Sequence, residues 1–157
     1  MSTTTPEQGG AAEPRPIIPA LASFYGVVRD LSYPLIRATA GGTLLYHGIG
    51  KLTGPPISAF AASLAKLGFE PSLLIAYILY INETVGAVCI VLGLFTRFFA
   101  ASIAIELAVI SVIFIPNGYA WSQHGWEFVF LWGLVVFAIA LRGGGPYSLD
   151  RKLGWEL

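Results

Sequence analysis

Long runs of apolar residues, separated by short breaks that contain Gly and Pro, dominate the chain from about residue 34 to residue 142. A helix needs about 20 predominantly apolar residues to cross the hydrocarbon layer of a bilayer. Four runs approach that length, and turn-forming stretches such as Gly54-Pro55-Pro56 lie between them. The pattern therefore predicts four transmembrane helices, at about 34–52, 72–95, 98–115 and 127–141.

The remaining segments differ from these runs in length and polarity. Residues 1–16 are rich in Pro, Gly, Thr and Glu, which predicts a disordered tail. Residues 17–33 predict an interfacial helix that leads into the first span. In residues 57–67 apolar positions recur at helical spacing over a length too short to cross, so a surface helix is expected there. Residues 143–157 predict a Gly-rich turn followed by a short helix on the membrane face.

The composition changes this picture from an apolar bundle to a membrane protein. The chain of 157 residues is 55% hydrophobic and 11% charged, whereas a soluble domain carries about 25% charged residues. The expected fold class is all-α, an integral membrane four-helix transmembrane bundle with short interfacial helices, and the expected first partner is the lipid bilayer. A formal net charge of zero and the lack of a basic tract give no support to nucleic-acid binding.

Lys and Arg are distributed unevenly between the two sides of the predicted bundle. Two of the 9, Lys51 and Lys66, fall on one side, and the others fall on the side of the termini. Cytoplasmic loops are enriched in these residues, so we expect both termini in the cytoplasm. Arg37, Arg97 and Arg142, at the cytoplasmic edge, are interpreted as topology and headgroup anchors.

Ionisable residues inside the apolar runs are the candidate functional residues, because an ionisable group at mid-membrane depth normally has a partner or a function. At about 1.5 Å per residue, Glu83 and Glu106 lie at similar depth in the second and third spans. His47 and Lys51 lie one turn apart near the outer end of the first span, and Glu127 begins the fourth. The sequence predicts an outward-facing polar pocket formed by His47, Lys51, Glu83 and Glu127, with Glu106 below it.

Two interpretations of this pocket stay open. Glu83 either forms an internal ion pair with Lys51 or His47 that ties two helices together, or accepts protons in a cavity, with His47 as a second proton-exchanging group. The same alternatives apply to Glu106. With two histidines and Cys89 alone, no metal-ligand spacing is present, so no metal site is expected. No nucleotide- or flavin-binding motif is present either, so no intrinsic cofactor is expected.

Several polar motifs follow one another in a specific order. They are His47-Gly48-x-x-Lys51, Glu83-x-x-Gly86, Gly93-x-x-x-Arg97, Glu127 at the start of the last span, and Gly143-Gly-Gly-x-Tyr-Ser-Leu-Asp150. This order resembles the DoxX family of small four-span bacterial membrane proteins, and the likeness covers residues 35–153. Family members usually carry Gly-Pro-Gly before Tyr-Ser-Leu-Asp. Here Gly144 takes the place of the proline, which affects the rigidity of the turn more than any chemistry.

The resemblance implies a multi-pass protein of the bacterial cytoplasmic membrane that associates with oxidoreductase complexes. The related DoxD proteins are linked to thiosulfate oxidation coupled to quinone reduction. We therefore expect a membrane subunit that lacks its own redox domain and holds a quinone or a small oxyanion in the outward pocket. Glu83 and His47 would handle protons, and Lys51 would supply positive charge to a reduced or anionic ligand.

Three matters stay open after the resemblance. The expected protein partners are other subunits of a redox complex or further copies of this chain, and whether the chain is itself an enzyme subunit is undecided. The first alternative function is a non-catalytic membrane anchor or assembly factor. The second is a small solute or proton carrier.

Overall fold

The computed structural model describes residues 16–157, and within that range the chain consists of helices and turns with no β-strand. The expected all-α class is confirmed. The predicted disordered tail, residues 1–16, lies outside the described residues except for its last position. The helices are α1 Leu21–Val28, α2 Ser32–Thr53, α3 Ile57–Lys66, α4 Ser72–Ile81, α5 Ala87–Leu92, α6 Thr96–Phe114, α7 Glu127–Arg142 and α8 Leu149–Leu153.

A π-helical turn, Asn82–Gly86, joins α4 to α5, so that the three form one rod from Ser72 to Leu92. The rod ends at Gly93, whose φ of 69° is a left-handed conformation that glycine adopts without steric cost. A side chain at this position would also collide with the guanidinium group of Arg37. The tight turn that follows leads directly into α6.

Four rods pack as a closed ring in which each touches two neighbours. α2 packs against α5, α5 and the π turn pack against α6, α6 lies along α7, and α7 returns to α2. α3 packs on the outside of α4 and forms a small cluster of its own with it. The largest side chains that the ring buries completely are aliphatic: Ile90, Ile103, Val136 and Ile139.

Two of the rods, Ser72–Leu92 and Thr96–Asn117, are long and apolar enough to cross a membrane. Only 33% of the most apolar window of each is buried in the protein. Most of these apolar side chains therefore face outward, where a soluble protein would meet water at considerable cost. α2 is interrupted by polar side chains and α7 has 16 residues, so their crossing, and with it the four-span arrangement, stays a prediction.

The segment predicted as one interfacial helix at 17–33 contains α1 and a separate 3₁₀ turn at Arg29–Leu31. α2 then begins at Ser32, slightly earlier than the predicted first span. Whether α1 and α3 lie at the membrane surface stays a prediction, as do the predicted domain boundaries.

The C-terminal segment is tied to the ends of the rods by buried polar contacts. The carboxylate of Asp150 accepts hydrogen bonds from the backbone N–H groups of Phe95 (2.8 Å) and Thr96 (3.0 Å) and from the Thr96 hydroxyl (2.7 Å). These N–H groups begin α6 and have no partner within the helix, so a distant residue caps it. The Gly-rich turn thus serves to bring Asp150 to α6.

Two arginines complete this arrangement. Arg37 is 2% exposed and donates to the carbonyl oxygens of Gly144 and Tyr147, so its interpretation as a headgroup anchor is wrong. The buried guanidinium is held instead by carbonyl groups that follow the end of α7. Arg97 donates to the carbonyl of Leu141 at 2.7 Å and forms an ion pair with Glu156.

Candidate functional site

Three of the predicted residues meet in the interior as part of one polar chain across three rods. Lys51 of α2 donates a hydrogen bond to Oε1 of Glu83 in the π turn. The carboxyl groups of Glu83 and Glu106 are neighbours and interact with each other. Asn82 Nδ2 donates to Oε2 of Glu106 at 3.0 Å, and the Ser102 hydroxyl donates to Oδ1 of Asn82 at 3.0 Å. We call these five residues the polar chain.

Two consecutive side chains of the π turn, Asn82 and Glu83, both reach the interior. Successive residues of an α-helix point about 100° apart, since there are 3.6 residues per turn. A π turn contains an extra residue and widens the helix locally. Asn82 and Glu83 are both 4% exposed, and the hydroxyl of Thr84 donates to the carbonyl of Tyr80 at 2.5 Å. Such turns occur frequently at functional sites.

Glycine at position 48 allows α2 to approach this turn. A Cβ atom there would collide with the backbone carbonyl of Glu83 and would lie 2.9 Å from the Thr84 methyl group. Residues three apart lie on the same face of a helix. The close approach at Gly48 therefore places Lys51 directly against Glu83.

The charges of the polar chain balance only when it holds a proton. Glu83 Oε2 and Glu106 Oε1 are buried, and no donor among the described residues is directed at either. Two ionised carboxylates in contact repel each other and neither can donate. One proton shared by the pair would supply the missing donor. It would leave one negative charge beside the Lys51 ammonium group, and the polar chain would then carry no net charge.

The Lys51 end of the polar chain is more exposed than the carboxyl group to which it is paired. Its side chain is 25% exposed, against 5% for Glu83. The Phe60 ring of α3 lies 5.0 Å from the ammonium nitrogen, and the Tyr80 hydroxyl donates to the Lys51 carbonyl at 3.1 Å. The ring of Phe60 therefore covers the ammonium group from one side.

The structure places the other two predicted residues elsewhere. His47 is exposed, and its ring lies 5.7 Å from that of Trp132 on α7 and 6.2 Å from that of Tyr46. The carboxylate of Glu127 accepts from the backbone N–H of Trp121 at 3.2 Å, in the loop that precedes α7. No hydrogen bond or ion pair among residues 16–157 joins either one to the polar chain.

Sequence reasoning missed two members of the polar chain, Asn82 and Ser102. Ser102 lies four residues before Glu106, on the same face of α6, and this spacing was the available signal. Asn82 precedes Glu83 directly, and an α-helix would point the two apart. Both lie in the π turn, and residue spacing gives no signal for that turn.

An apolar groove opens beside the inner end of the polar chain. It lies between α4 and α6, has a volume of about 240 Å³, and has Asn82, Ser102 and Glu106 among its lining residues. These are the described polar groups that a bound organic molecule could reach from this side. Within residues 16–157 no three His, Cys, Asp or Glu side chains come together as a metal site.

Comparison with known proteins covers the part of the chain that holds this site. The family model described as DoxX matches residues 33–116, which includes every member of the polar chain. A Haemophilus influenzae protein described only as uncharacterized is 30% identical over 121 residues, which span 74% of this chain and 87% of that protein. No solved structure matches the chain.

Proposed function

The chain belongs to the DoxX family, and on that premise we propose that it is a four-span subunit of a redox complex in the bacterial cytoplasmic membrane. Its polar chain holds a proton and exchanges it with a quinone. In this proposal the electrons come from a partner subunit that carries the redox group. Both termini face the cytoplasm, as the bias of Lys and Arg indicates.

The observation that carries this proposal is the second carboxyl group. A tie between two helices needs one cation and one anion, and Lys51 with Glu83 already provides both. Glu106 adds a buried carboxyl group that only a proton can neutralise. Carboxyl groups that hold a proton inside a membrane are the usual components of proton relays. The pair therefore does more than a structural tie requires.

The polar chain favours a quinone over a small oxyanion as the ligand. An oxyanion would meet one ammonium group, already paired with Glu83, and a second carboxyl group beside it. A quinone is neutral and needs donors and acceptors, which carboxyl, amide and hydroxyl groups supply. We assign proton handling to Glu83 and Glu106. His47 would have to move from its contact with Trp132 to take part.

A non-catalytic anchor is the second candidate, and a specific observation favours it. Asp150 and Arg37, at the ends of the bundle, make contacts that only hold the fold together. A protein whose polar residues all act in this way needs no ligand. The two candidates differ in what Glu106 does.

Glu106→Gln separates them, because it removes the protonated carboxyl group and leaves the Lys51–Glu83 pair in place. The assay measures thiosulfate-dependent reduction of decylubiquinone in membranes that contain the complete complex. Positioned proton-transfer groups contribute about 10²- to 10⁴-fold to rates, so turnover should fall by about two powers of ten with assembly unchanged. Glu127→Gln, remote from the polar chain, is the matched control and should retain activity.

Two other results would contradict this proposal and favour a different function. Wild-type turnover in Glu106→Gln, or loss of the folded protein alone, supports the anchor. Movement of protons across vesicles that contain only this chain, without quinone, supports the carrier.

A further inference from the structure

We propose that the groove between α4 and α6 is a lateral binding site for a neutral-headed, single-chain lipid. The lipid enters from the hydrocarbon layer and places its head against Asn82, Ser102 and Glu106. The proposal rests on the membrane placement of the proposed function. It goes beyond that function in naming the entrance and the class of ligand.

The groove exists because two neighbouring rods diverge. α6 packs against the π turn and α5 but hardly touches α4. The space left between them is lined by branched aliphatic side chains of α4 and α6, among them Ile75, Ile78, Ile105 and Val109. Leu64 of α3 and Phe69 also line it. A π turn offsets the helix axis. The same turn that brings Asn82 inward therefore separates α4 from α6 beyond it.

The groove opens sideways. Its rim residues are exposed, Ile78 by 45%, Ile105 by 67% and Val109 by 40%. Asn82 lies ten residues after the first residue of α4, Ser72, which corresponds to about 15 Å along the axis. That distance places the polar floor near the middle of a hydrocarbon layer about 30 Å thick. The open side therefore faces lipid chains, not water.

The floor of the groove is built for hydrogen bonds. Glu106 is 6% exposed and Asn82 is 4% exposed, so both are interior groups that the groove reaches from the side. No N–H or O–H group of the described residues is directed at Glu106 Oε1, and a carboxyl oxygen that shares a proton with Glu83 can still accept a hydrogen bond from a ligand. A hydroxyl or carbonyl group on a ligand would find a carboxyl group, an amide and a hydroxyl within one small area.

The ligand head must be neutral. With one proton the polar chain already carries no net charge, so a charged head would add an uncompensated charge near mid-membrane depth, which costs several kcal/mol. A volume of about 240 Å³ is below the roughly 300–1,000 Å³ of pockets that enclose drug-sized molecules. A single ring or a single chain fits this volume. A two-chain phospholipid with a charged headgroup exceeds the volume and also brings an uncompensated charge.

The experiment is photolabelling of the full-length protein in phosphatidylcholine nanodiscs. One probe is a diazirine derivative of farnesol, an isoprenoid alcohol, and the other is phosphatidylglycerol with a diazirine in one acyl chain. Peptide mass spectrometry locates the adducts. We expect farnesol adducts between residues 75 and 82 and between 102 and 113, and phosphatidylglycerol adducts spread over the outer faces of all the rods.

Val109→Trp fills the groove, and Val112→Trp is the matched control, since Val112 is exposed on the same helix but does not line the groove. Farnesol labelling of the groove should fall about tenfold in Val109→Trp, equivalent to about 1.4 kcal/mol of binding free energy, and stay unchanged in Val112→Trp. Ile78→Trp fills the groove from the opposite wall and replaces Val109→Trp if that variant does not fold.

The proposal is overturned if Val109→Trp and Val112→Trp label alike, or if phosphatidylglycerol labels the groove as well as farnesol does. The groove would then be ordinary lipid-exposed surface. Decylubiquinone as competitor separates this proposal from the redox function. If decylubiquinone does not reduce farnesol labelling of the groove, the groove remains a lipid site but a quinone is not its ligand.

Discussion

The ion pair between Lys51 and Glu83 offers the most direct test of the polar chain. Lys51→Met removes the ammonium group and keeps a flexible side chain of similar length. It leaves Glu83, 4% exposed, and Glu106, 6% exposed, without a cation beside them. Glu83→Gln is the reciprocal change. It leaves Lys51 with partial access to water and with Glu106 as the remaining acid.

The two changes should have unequal costs. Breaking a buried ion pair costs roughly 3–5 kcal/mol, and because the Lys51 side chain is 25% exposed we expect about 3 kcal/mol for Lys51→Met, near the low end of that range. Glu83→Gln should cost about 1 kcal/mol, the net contribution of a typical hydrogen bond. The double variant removes both charges and should cost about 2 kcal/mol, less than the sum of the single costs.

The measurement is reversible unfolding in mixed dodecylmaltoside and sodium dodecyl sulfate micelles, followed by far-ultraviolet circular dichroism. Lys66→Met, a charge removal on the exposed face of α3, is the control and should lie within about 0.5 kcal/mol of the wild type. The reasoning would be refuted if the loss of stability in the double variant equalled the sum of the losses in the two single variants. It would also be refuted by a cost for Lys51→Met no larger than that of the control, because the pair would then contribute nothing as a pair.

Three further predictions follow from the packing and the charge pattern. Gly48→Ala should destabilise the protein by about 1–3 kcal/mol in the same unfolding assay, because overpacking forces α2 away from the π turn, whereas Gly50→Ala, with open space at its Cβ, should not. Asp150→Asn should lose about 1 kcal/mol, the contribution of a helix cap, and Asp150→Glu should not restore it if the geometry at α6 is as tight as it is here. In intact cells a membrane-impermeant maleimide should modify Lys66→Cys but reach Lys152→Cys only after permeabilisation, and the opposite pattern would reverse the proposed orientation.

Rise per residue was enough to predict that acidic groups from two rods would meet. Glu83 and Glu106 lie at the same level because each is about half a span from the end of its helix. An uncompensated charge is costly at that depth, so a partner for Glu83, either Lys51 or His47, was expected. Both predictions depend only on distance along a helix axis, which sequence supplies directly.

It was harder to predict which side of each helix faces the interior, and His47 shows why. His47 and Lys51 are four residues apart, which puts them on one face of an ideal helix. In α2 the buried positions Leu44 and Gly48 define the inner face, and Lys51 continues it. His47 lies about 100° away from Gly48, towards α7 and Trp132. Positions of close helix approach, here marked by glycine, were the better guide to the inner face.

The most recognisable motif and the polar chain turned out to have different roles. The Gly-rich turn and Asp150 cap α6 from a distance, and a fold needs such contacts whatever its ligand. The polar chain draws members from three rods, and no local pattern joins Asn82 to Glu106 or Lys51 to Glu83. Spacing gives the depth of such groups but does not decide which of them pair, because the pairing depends on how the helices pack.

The number of charges in the polar chain explains both proposals. One ammonium group and two carboxyl groups are neutral only with one bound proton, which is the proton that the proposed function uses. A group that takes this proton must return it or supply a positive charge in its place. A ligand that brings no charge of its own can exchange the proton with Glu106 and leave the balance intact. The charge count therefore has two consequences. Glu106 is not needed to tie the helices together, and the molecule that reaches it through the groove should be neutral and able to form hydrogen bonds.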